Sequence, residues 1–197
     1  MSTDNIQTSK MLLRGCPYED ELDAFAELHG WQRTSASDAL SGRREVEWST
    51  GDNDTTLRYV KDEMSPNCYF YVAGSDPAPV GDAAMQAYEE LQPLVQSDVI
   101  PQVDAAPGPL QLGQALLRLG IVAPLESDPD VLERIVGGLS HPDGRVRTMA
   151  LWATTYSPWA EYRPAITAIA ESDPESLLRE RARVTLEAFD AAGVGDR

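Results

Sequence analysis

The spacing of apolar residues changes twice along the first hundred residues. Between Tyr18 and Gly30 the apolar positions follow a helical period, and Gly30 ends the run. From Arg43 the period becomes two, and three segments of strand character follow at residues 44–50, 55–63 and 68–74. The predicted helical face consists of Leu22, Phe25, Ala26 and Leu28. This order predicts a helix followed by a small antiparallel meander.

The last strand segment differs from the other two because residues 68–72 are all apolar or aromatic. A strand that is apolar on both faces is expected in the centre of a sheet. Residues 75–82 then indicate a connector, and residues 83–96 a helix that Pro93 should bend or end. The predicted stripe of this helix is Ala84, Tyr88, Leu91 and Val95.

After Pro109 the pattern predicts helices only, each with an apolar stripe of helical spacing. The five stripes are Leu112, Ala115, Leu116 and Leu119; Val131, Leu132, Ile135, Val136 and Leu139; Val146, Met149, Ala150 and Ala153; Ala165, Ile166, Ile169 and Ala170; and Leu178, Ala182, Thr185, Leu186 and Phe189. Prolines at 129, 142, 158 and 174 are expected at the first helical position, with an oxygen-bearing cap before three of them.

The segment Ser140–Trp159 returns in looser form as Ser172–Phe189, with Pro142 and Pro174 32 residues apart. On "PDGRVRTMA" and "PESLLRERA" the chain resembles HEAT-like helical repeat proteins, over roughly residues 124–189. By that resemblance Asp143 would pair with Arg147, and Glu175 with Arg179, as a ladder between repeats. The period is shorter than the usual HEAT length, and two repeats are fewer than a repeat array needs. Either residues 110–122 complete the stack or the N-terminal unit caps it; the alternative is an irregular helical bundle.

These patterns together predict an α+β protein: a small antiparallel β-meander with flanking helices, then a right-handed HEAT-like helical repeat region. The expected organisation is a flexible N-terminus (1–16), an acidic α+β unit (17–98), a linker (99–109), the repeats (110–192) and a tail (193–197). The linker assignment rests on three prolines and a glycine within residues 99–110.

Charge narrows the range of partners. The chain has 32 acidic and 16 basic residues, a net charge of −16, and residues 1–100 hold 18 of the acids but only 7 of the bases. Such a field repels nucleic acids and anionic membranes and favours a protein with a basic surface. Few lysines beside many arginines are typical of a GC-rich bacterial genome.

Two cysteines, Cys16 and Cys68, form no multi-cysteine framework and have no ligand at metal-site spacing. No apolar segment approaches the length of a signal peptide core or a membrane span. We therefore expect a reduced, cytoplasmic, soluble protein.

Candidate chemistry is sparse. The two histidines, His29 and His141, are expected to be structural or solvated, and no nucleophile motif or phosphate-binding loop is present. The segment 51–54, "GDND", resembles part of a calcium loop but predicts a hairpin turn. No catalytic, cofactor-binding or metal-binding residue is predicted.

Candidate interaction residues cluster in the repeat region. Four aromatic residues, Trp152, Tyr156, Trp159 and Tyr162, are predicted either as a core at the junction of two repeats or as an exposed recognition surface. Arg145 and Arg183 are the candidate polar contacts, although nearby glutamates and the net charge oppose nucleic-acid binding.

The sequence favours a non-catalytic protein-binding module, because helical repeats offer broad surfaces rather than enclosed pockets. Its acidity and size resemble, in general character, bacterial immunity proteins that inhibit basic toxins. The alternatives are a HEAT-like lyase or modifying factor that holds a substrate on its repeat face, and a structural adaptor.

Overall fold

The computed structural model describes residues 6–39, 42–50 and 54–195. Contacts divide the chain into two compact units, Met1–Val95 and Gln96–Arg197. Among these described residues, the first unit contains the strands and two helices, and the second contains helices only. The model is therefore of the α+β class.

The first unit is built on one six-stranded antiparallel sheet. Its order is β1-β6-β5-β4-β3, and β2 also pairs with β6. The strands are β1 (Ile6–Gln7), β2 (Met11–Leu12), β3 (Gln32–Ala39), β4 (Arg43–Thr50), β5 (Thr55–Asp62) and β6 (Asn67–Gly74). The predicted meander is confirmed as β4, β5 and β6, and the apolar strand β6 lies inside the sheet, between β5 and the N-terminal strands.

The register explains which face of the sheet is buried. Val46 on β4, Tyr59 on β5 and Phe70 on β6 are opposite one another, and all three side chains are buried. Alternate residues of a strand point to one face, so Trp48, Leu57 and Val72 join the same core. Two helices, α1 (Glu19–Leu28) and α2 (Pro77–Leu91), contribute Leu22, Phe25, Val80 and Ala83 to that core.

Three strands were not expected from the sequence. Strand β3 has the sequence QRTSASDA, whose polar residues give no strand signal, and its residues 32–37 are exposed. The prediction of a loose N-terminus is wrong for residues 6–16, because β1 and β2 pair with β6. Two-residue strands are too short to produce a recognisable period.

Helix α2 begins earlier than predicted. Asp76 accepts a hydrogen bond from the Ala78 N–H and Pro77 occupies the first turn, so residues 77–82 are helical rather than a connector. The helix ends at Leu91, with Gln92 as its C-cap, and so stops before Pro93 as expected. Its buried residues are Val80, Ala83 and Ala87, whereas Tyr88 of the predicted stripe is exposed. Leu28 of the predicted α1 face is exposed as well.

The prediction of two reduced cysteines is wrong. Cys16 and Cys68 form a disulfide, with Cα atoms 5.4 Å apart and a separation of 52 positions in the sequence. Cys68 lies on β6, so the bridge fastens the loop before α1 to the centre of the sheet.

Over residues 96–195 the second unit contains six α-helices: α3 (Gln96–Asp104), α4 (Pro109–Val122), α5 (Pro129–Leu139), α6 (Gly144–Ala153), α7 (Arg163–Ser172) and α8 (Ser176–Ala191). A 3₁₀ turn, Ala160–Tyr162, precedes α7. Helix α3 packs on α4, α5 on α6, and α7 on α8, while α4 also contacts α6. The segment predicted as a linker, 99–109, instead contains most of α3.

Only one of the four predicted proline starts has the expected geometry. Pro129 opens α5, and Asp128 caps it by accepting hydrogen bonds from the N–H groups of Asp130 and Val131. Helix α6 begins after Pro142 and is capped by Asp143, and α8 begins after Pro174. Pro158 precedes the 3₁₀ turn. These prolines lie in the turns before the helices, where their fixed φ angle is equally acceptable.

Glycine permits the close contact between α4 and α6. A Cβ atom at Gly120 would lie 2.5 Å from the Ala153 carbonyl oxygen and 2.8 Å from the Ala153 Cα. The backbones of the two helices therefore approach to a distance that a side chain at this position would prevent.

Candidate functional site: the groove between α6 and α8

Helices α6 and α8 leave an open groove between them, which we call the α6–α8 groove. Its volume is about 280 Å³. The lining residues are Thr148, Leu151, Trp152 and Thr155 of α6 or the turn after it, and Glu180, Arg181, Val184 and Thr185 of α8. Val184 is 55% exposed although it is apolar.

The hydroxyl groups of the groove are already occupied. Thr148 donates to the Gly144 carbonyl at 2.8 Å, Thr155 to the Trp152 carbonyl at 2.7 Å, and Thr185 to the Arg181 carbonyl at 2.9 Å. Because each threonine hydrogen-bonds within its own helix or turn, its hydroxyl proton is not available to a ligand. The surface that remains is chiefly methyl groups, Leu151, Val184 and the Trp152 ring.

Trp152 is the one tryptophan of the chain that is not buried. Its Nε1–H donates to the Tyr156 hydroxyl at 3.0 Å, which fixes the orientation of the ring. Trp31, Trp48 and Trp159 are buried. A half-exposed ring that is held in place loses little conformational entropy when a partner packs on it.

The rim of the groove holds one uncompensated cation. Glu180 accepts a hydrogen bond from Arg183 at 3.2 Å, so its charge is partly neutralised. In the described part of the chain, the Arg181 guanidinium forms neither an ion pair nor a hydrogen bond. Arg181 is exposed and lines the groove, so its charge is available to a ligand there.

The four aromatic residues of the predicted interaction surface differ in burial. Tyr156, Trp159 and Tyr162 are buried, at 5%, 4% and 0% exposure, so the core interpretation is correct for these three. Trp159 stacks on Tyr162 with ring centroids 5.2 Å apart and donates to the Pro124 carbonyl at 3.2 Å. Only Trp152 remains a candidate for contact with a partner.

The two candidate arginines are exposed and paired. Arg145 bonds Asp143 at 2.6 Å, and Arg183 bonds Glu180. Neither lines the groove. Arg181, which does, was not among the candidate interaction residues.

The predicted ladder pairs do not form. Arg147 bonds Asp173 through two hydrogen bonds of 2.6 and 3.0 Å, and reaches Glu175 at 3.5 Å, whereas Asp143 pairs with Arg145. Arg179 donates to the Asp173 carbonyl at 2.6 Å instead of pairing with Glu175. The link therefore runs from α6 to the turn between α7 and α8, and Asp173 is its acceptor.

Burial and ion pairing have opposite effects on the pKa of the Asp173 carboxyl. Burial alone would raise the pKa of its carboxyl, but the hydrogen bonds from Arg147 and from the Glu175 N–H outweigh burial and lower the pKa below its ordinary value. Arg147 also donates to the carbonyls of His141 and Pro142 at 2.9 and 3.0 Å. The pair is therefore well satisfied, although both side chains are almost fully buried.

Both histidines have structural contacts. His29 bonds Glu90 and Gln86 of α2, each at 2.9 Å, and the His141 ring nitrogen accepts the Asp143 N–H at 3.0 Å. The "GDND" turn lies outside the described residues, apart from Asp54. Within the described ranges, no group of three or more His, Cys, Asp or Glu residues is arranged to hold a metal ion.

Sequence reasoning missed most of the groove because it followed the buried stripe of each helix. Leu177 and Val184 of α8 are apolar but lie off the stripe that begins with Leu178. Their seven-residue spacing places them on one face of the helix. That second, exposed apolar line was the available signal.

Comparison with known proteins adds no relative: no family model, curated protein or solved structure matches the chain. Among the described residues, the helices all lack the combination of length and apolar content that crossing a bilayer requires.

Proposed function

We propose that this protein is a non-catalytic protein-binding module that uses the α6–α8 groove as its contact surface. The observation that carries the proposal is an exposed apolar groove whose hydroxyl groups are all satisfied internally. Exposed apolar surface beside polar residues is typical of sites that another molecule covers. A half-exposed tryptophan in the groove supplies the kind of residue that dominates binding energy in protein interfaces.

The helix pairs support a HEAT-like scaffold for this surface. Helices α3 and α4, α5 and α6, and α7 and α8 pack as pairs, and α5 also contacts α7 as α4 contacts α6. Three pairs would meet the minimum that a repeat array needs. The Arg147–Asp173 link joins the second pair to the third, as a ladder between repeats would.

The net charge supports a partner with a basic surface. A charge of −16 attracts such a protein over a distance and increases the rate of encounter. Inhibition of a basic toxin, in the manner of an immunity protein, is the form of this function that the charge favours. The Cys16–Cys68 disulfide favours work in an oxidising compartment.

The proposal is tested by placing a photo-crosslinking amino acid at Val184 and, as a control, at Met85. Met85 has a similar exposure, 58%, but lies on α2 in the other unit. In an extract of the source organism we expect a discrete crosslinked protein from position 184 only. Its affinity for the purified protein, measured by calorimetry, should fall at least tenfold for Val184→Asp and remain unchanged for Met85→Asp.

Two results would refute the proposal. One is a partner that crosslinks from position 85 and not from position 184. The other is an unchanged affinity of the purified partner for the Val184→Asp variant, because a charge in the centre of an apolar contact must weaken it.

A further inference from the structure

We propose that the occupant of the α6–α8 groove is an amphipathic helix that packs an apolar stripe on Trp152 and Val184 and places a carboxylate at Arg181. This inference rests on the proposed function and specifies the chemistry of the partner.

The groove favours a helix over an extended peptide. An extended segment brings unpaired backbone N–H and C=O groups, which need partners when they are buried. The threonine hydroxyls and the Trp152 Nε1–H already donate to partners, so these groups offer no free donor to the carbonyl groups of an extended segment. A helix satisfies its own backbone and presents only side chains to such a floor.

The length of the groove fits a short helix. The lining residues of α6 and of the turn after it run from Thr148 to Thr155, seven positions apart, which is about 10 Å at the rise of a helix. Apolar side chains at positions i, i+4 and i+7 of a docked helix span the same length. Two or three anchors therefore fill the groove, and Trp152 and Val184 face them from opposite walls.

The charges of the rim select an acidic side chain. Glu180 is engaged by Arg183, whereas Arg181 has no partner among the described residues. A carboxylate beside the anchors forms a charge-assisted hydrogen bond with Arg181. A lysine or arginine at the same place meets Arg181 as a like charge. The net charge of the whole molecule therefore attracts a basic partner at long range. The groove selects a carboxylate at short range, through contact with Arg181.

The test uses synthetic peptides and the full-length protein. The first probe is a capped peptide of about 16 residues, long enough for partial helicity, with leucines at i, i+4 and i+7 and glutamates on both sides of that stripe. The second has lysine in place of each glutamate, and the third contains a proline in the centre of the first. Binding is followed by Trp152 fluorescence, with Trp152→Phe as the blank, and by calorimetry.

We expect the preference of the groove for the glutamate peptide to reverse when Arg181 is changed to glutamate, and not when another arginine is changed. The glutamate peptide should bind the natural protein, and Arg181→Glu should weaken it at least tenfold. Arg118→Glu changes the net charge equally, but Arg118 lies on α4, outside the groove lining, and hydrogen-bonds Gln102 at 3.2 Å, so its effect should stay within about threefold. The lysine peptide should prefer the Arg181→Glu variant, and the proline peptide should bind at least tenfold more weakly than its parent.

Several outcomes would overturn this inference. Equal weakening by Arg181→Glu and Arg118→Glu would show a general field effect, and equal binding of the proline peptide would show an extended occupant. Binding of dodecanoate but of none of the peptides would assign the groove to an acyl chain. If a protein crosslinks from Val184 but Arg181→Glu leaves its affinity unchanged, the protein-binding function stands and the acidic helix is refuted.

Discussion

At the scale of single residues, one buried ion pair shows how tertiary contacts redirect a local pattern. Asp143 lies four positions before Arg147, which is the spacing of a helical pair. The Asp143 side chain instead caps α6 and bonds Arg145, so Arg147 is directed to Asp173. Removing one partner of a buried pair is costly because the other charge remains buried.

We predict that Asp173→Asn lowers the free energy of unfolding by about 3 kcal/mol, since Arg147 would lose its charged partner. Asp143→Asn should change it little, because asparagine remains a good cap and the Asp143–Arg145 pair is solvated. Urea denaturation of the two variants measures the difference. Equal effects would show that the Arg147–Asp173 pair contributes no more than a surface contact.

Glu19 makes the stability of the first unit depend on pH. Hydrogen bonds from Arg44 are the largest cause that lowers the pKa of its carboxyl from 4.5 to about 2. Burial opposes them with the next largest effect, and the hydrogen bond from Arg33 lowers the pKa further. A lowered pKa stabilises the folded state fully above pH 4.5, and the contribution is lost as the pH falls toward 2. We expect Glu19→Gln to lower the free energy of unfolding by on the order of 2 kcal/mol at pH 7. Between pH 4.5 and 2 the stability of this variant should depend less on pH than that of the natural protein.

Thermal melts at a series of pH values test this expectation. Glu21→Gln is the matched control, because it removes a carboxylate from the same helical turn. If both variants show the slope of the natural protein, the contacts of Glu19 with Arg44 and Arg33 do not govern acid stability.

At the scale of elements, packing decides which glycines can be replaced. Gly120 lies against the backbone of Ala153, whereas a Cβ atom at Gly137 of α5 would have no neighbour within 4 Å. Both positions are glycines within predicted helices, and neither Gly120 nor the Gly137–Gly138 pair shows in the sequence which glycine is close to a neighbouring helix. Only the distance between helices distinguishes them.

We predict opposite effects of the same substitution at these positions. Gly120→Ala should destabilise the second unit by about 1–3 kcal/mol, because α4 and α6 must move apart. Gly137→Ala should stabilise it by about 0.5–1 kcal/mol, because alanine is the better helix former. Chemical denaturation of both variants provides the comparison, and a loss of stability at Gly137 as large as that at Gly120 would contradict the packing explanation.

The disulfide also belongs to the scale of elements, because it links the loop before α1 covalently to β6. Closure of a loop of 52 residues stabilises a folded chain by about 2–4 kcal/mol. We expect a reductant to lower the melting temperature of the natural protein and to leave the double variant Cys16→Ala/Cys68→Ala unchanged. Titration of thiols in the denatured, unreduced protein should find none; two reactive thiols would refute the bridge.

At the scale of the whole molecule, the net charge should control how fast a partner associates, and the α6–α8 groove should control how fast it dissociates. We predict that raising the salt from about 0.05 to 0.5 M slows association with a basic partner at least tenfold, because salt screens attraction at a distance. Dissociation, which depends on the apolar contact at Val184 and Trp152, should change less than threefold. Surface plasmon resonance separates the two rates, and an association rate insensitive to salt would contradict a role for the net charge.

The sequence predicted helices and strands well wherever a regular spacing of apolar residues continued over many positions and marked the buried face. The meander β4–β6, helix α1 and the five helices after residue 109 are found close to their expected positions. Strands β1, β2 and β3 were missed because two are very short and the third is polar. The groove was only partly predicted: Trp152 was a candidate, but Val184 and Arg181 acquire their meaning from the separation of α6 and α8.

The amino-acid sequence by itself determined the class of the fold, the run of helices in the second half and the large negative charge, since periodicity and charge are properties of neighbouring residues. The tertiary structure decided that Cys16 meets Cys68, that Arg147 bonds Asp173, that three of four clustered aromatic residues are core, and that α6 and α8 leave a groove. Each of these depends on distances between residues that are far apart in the chain, and no local pattern encodes those distances.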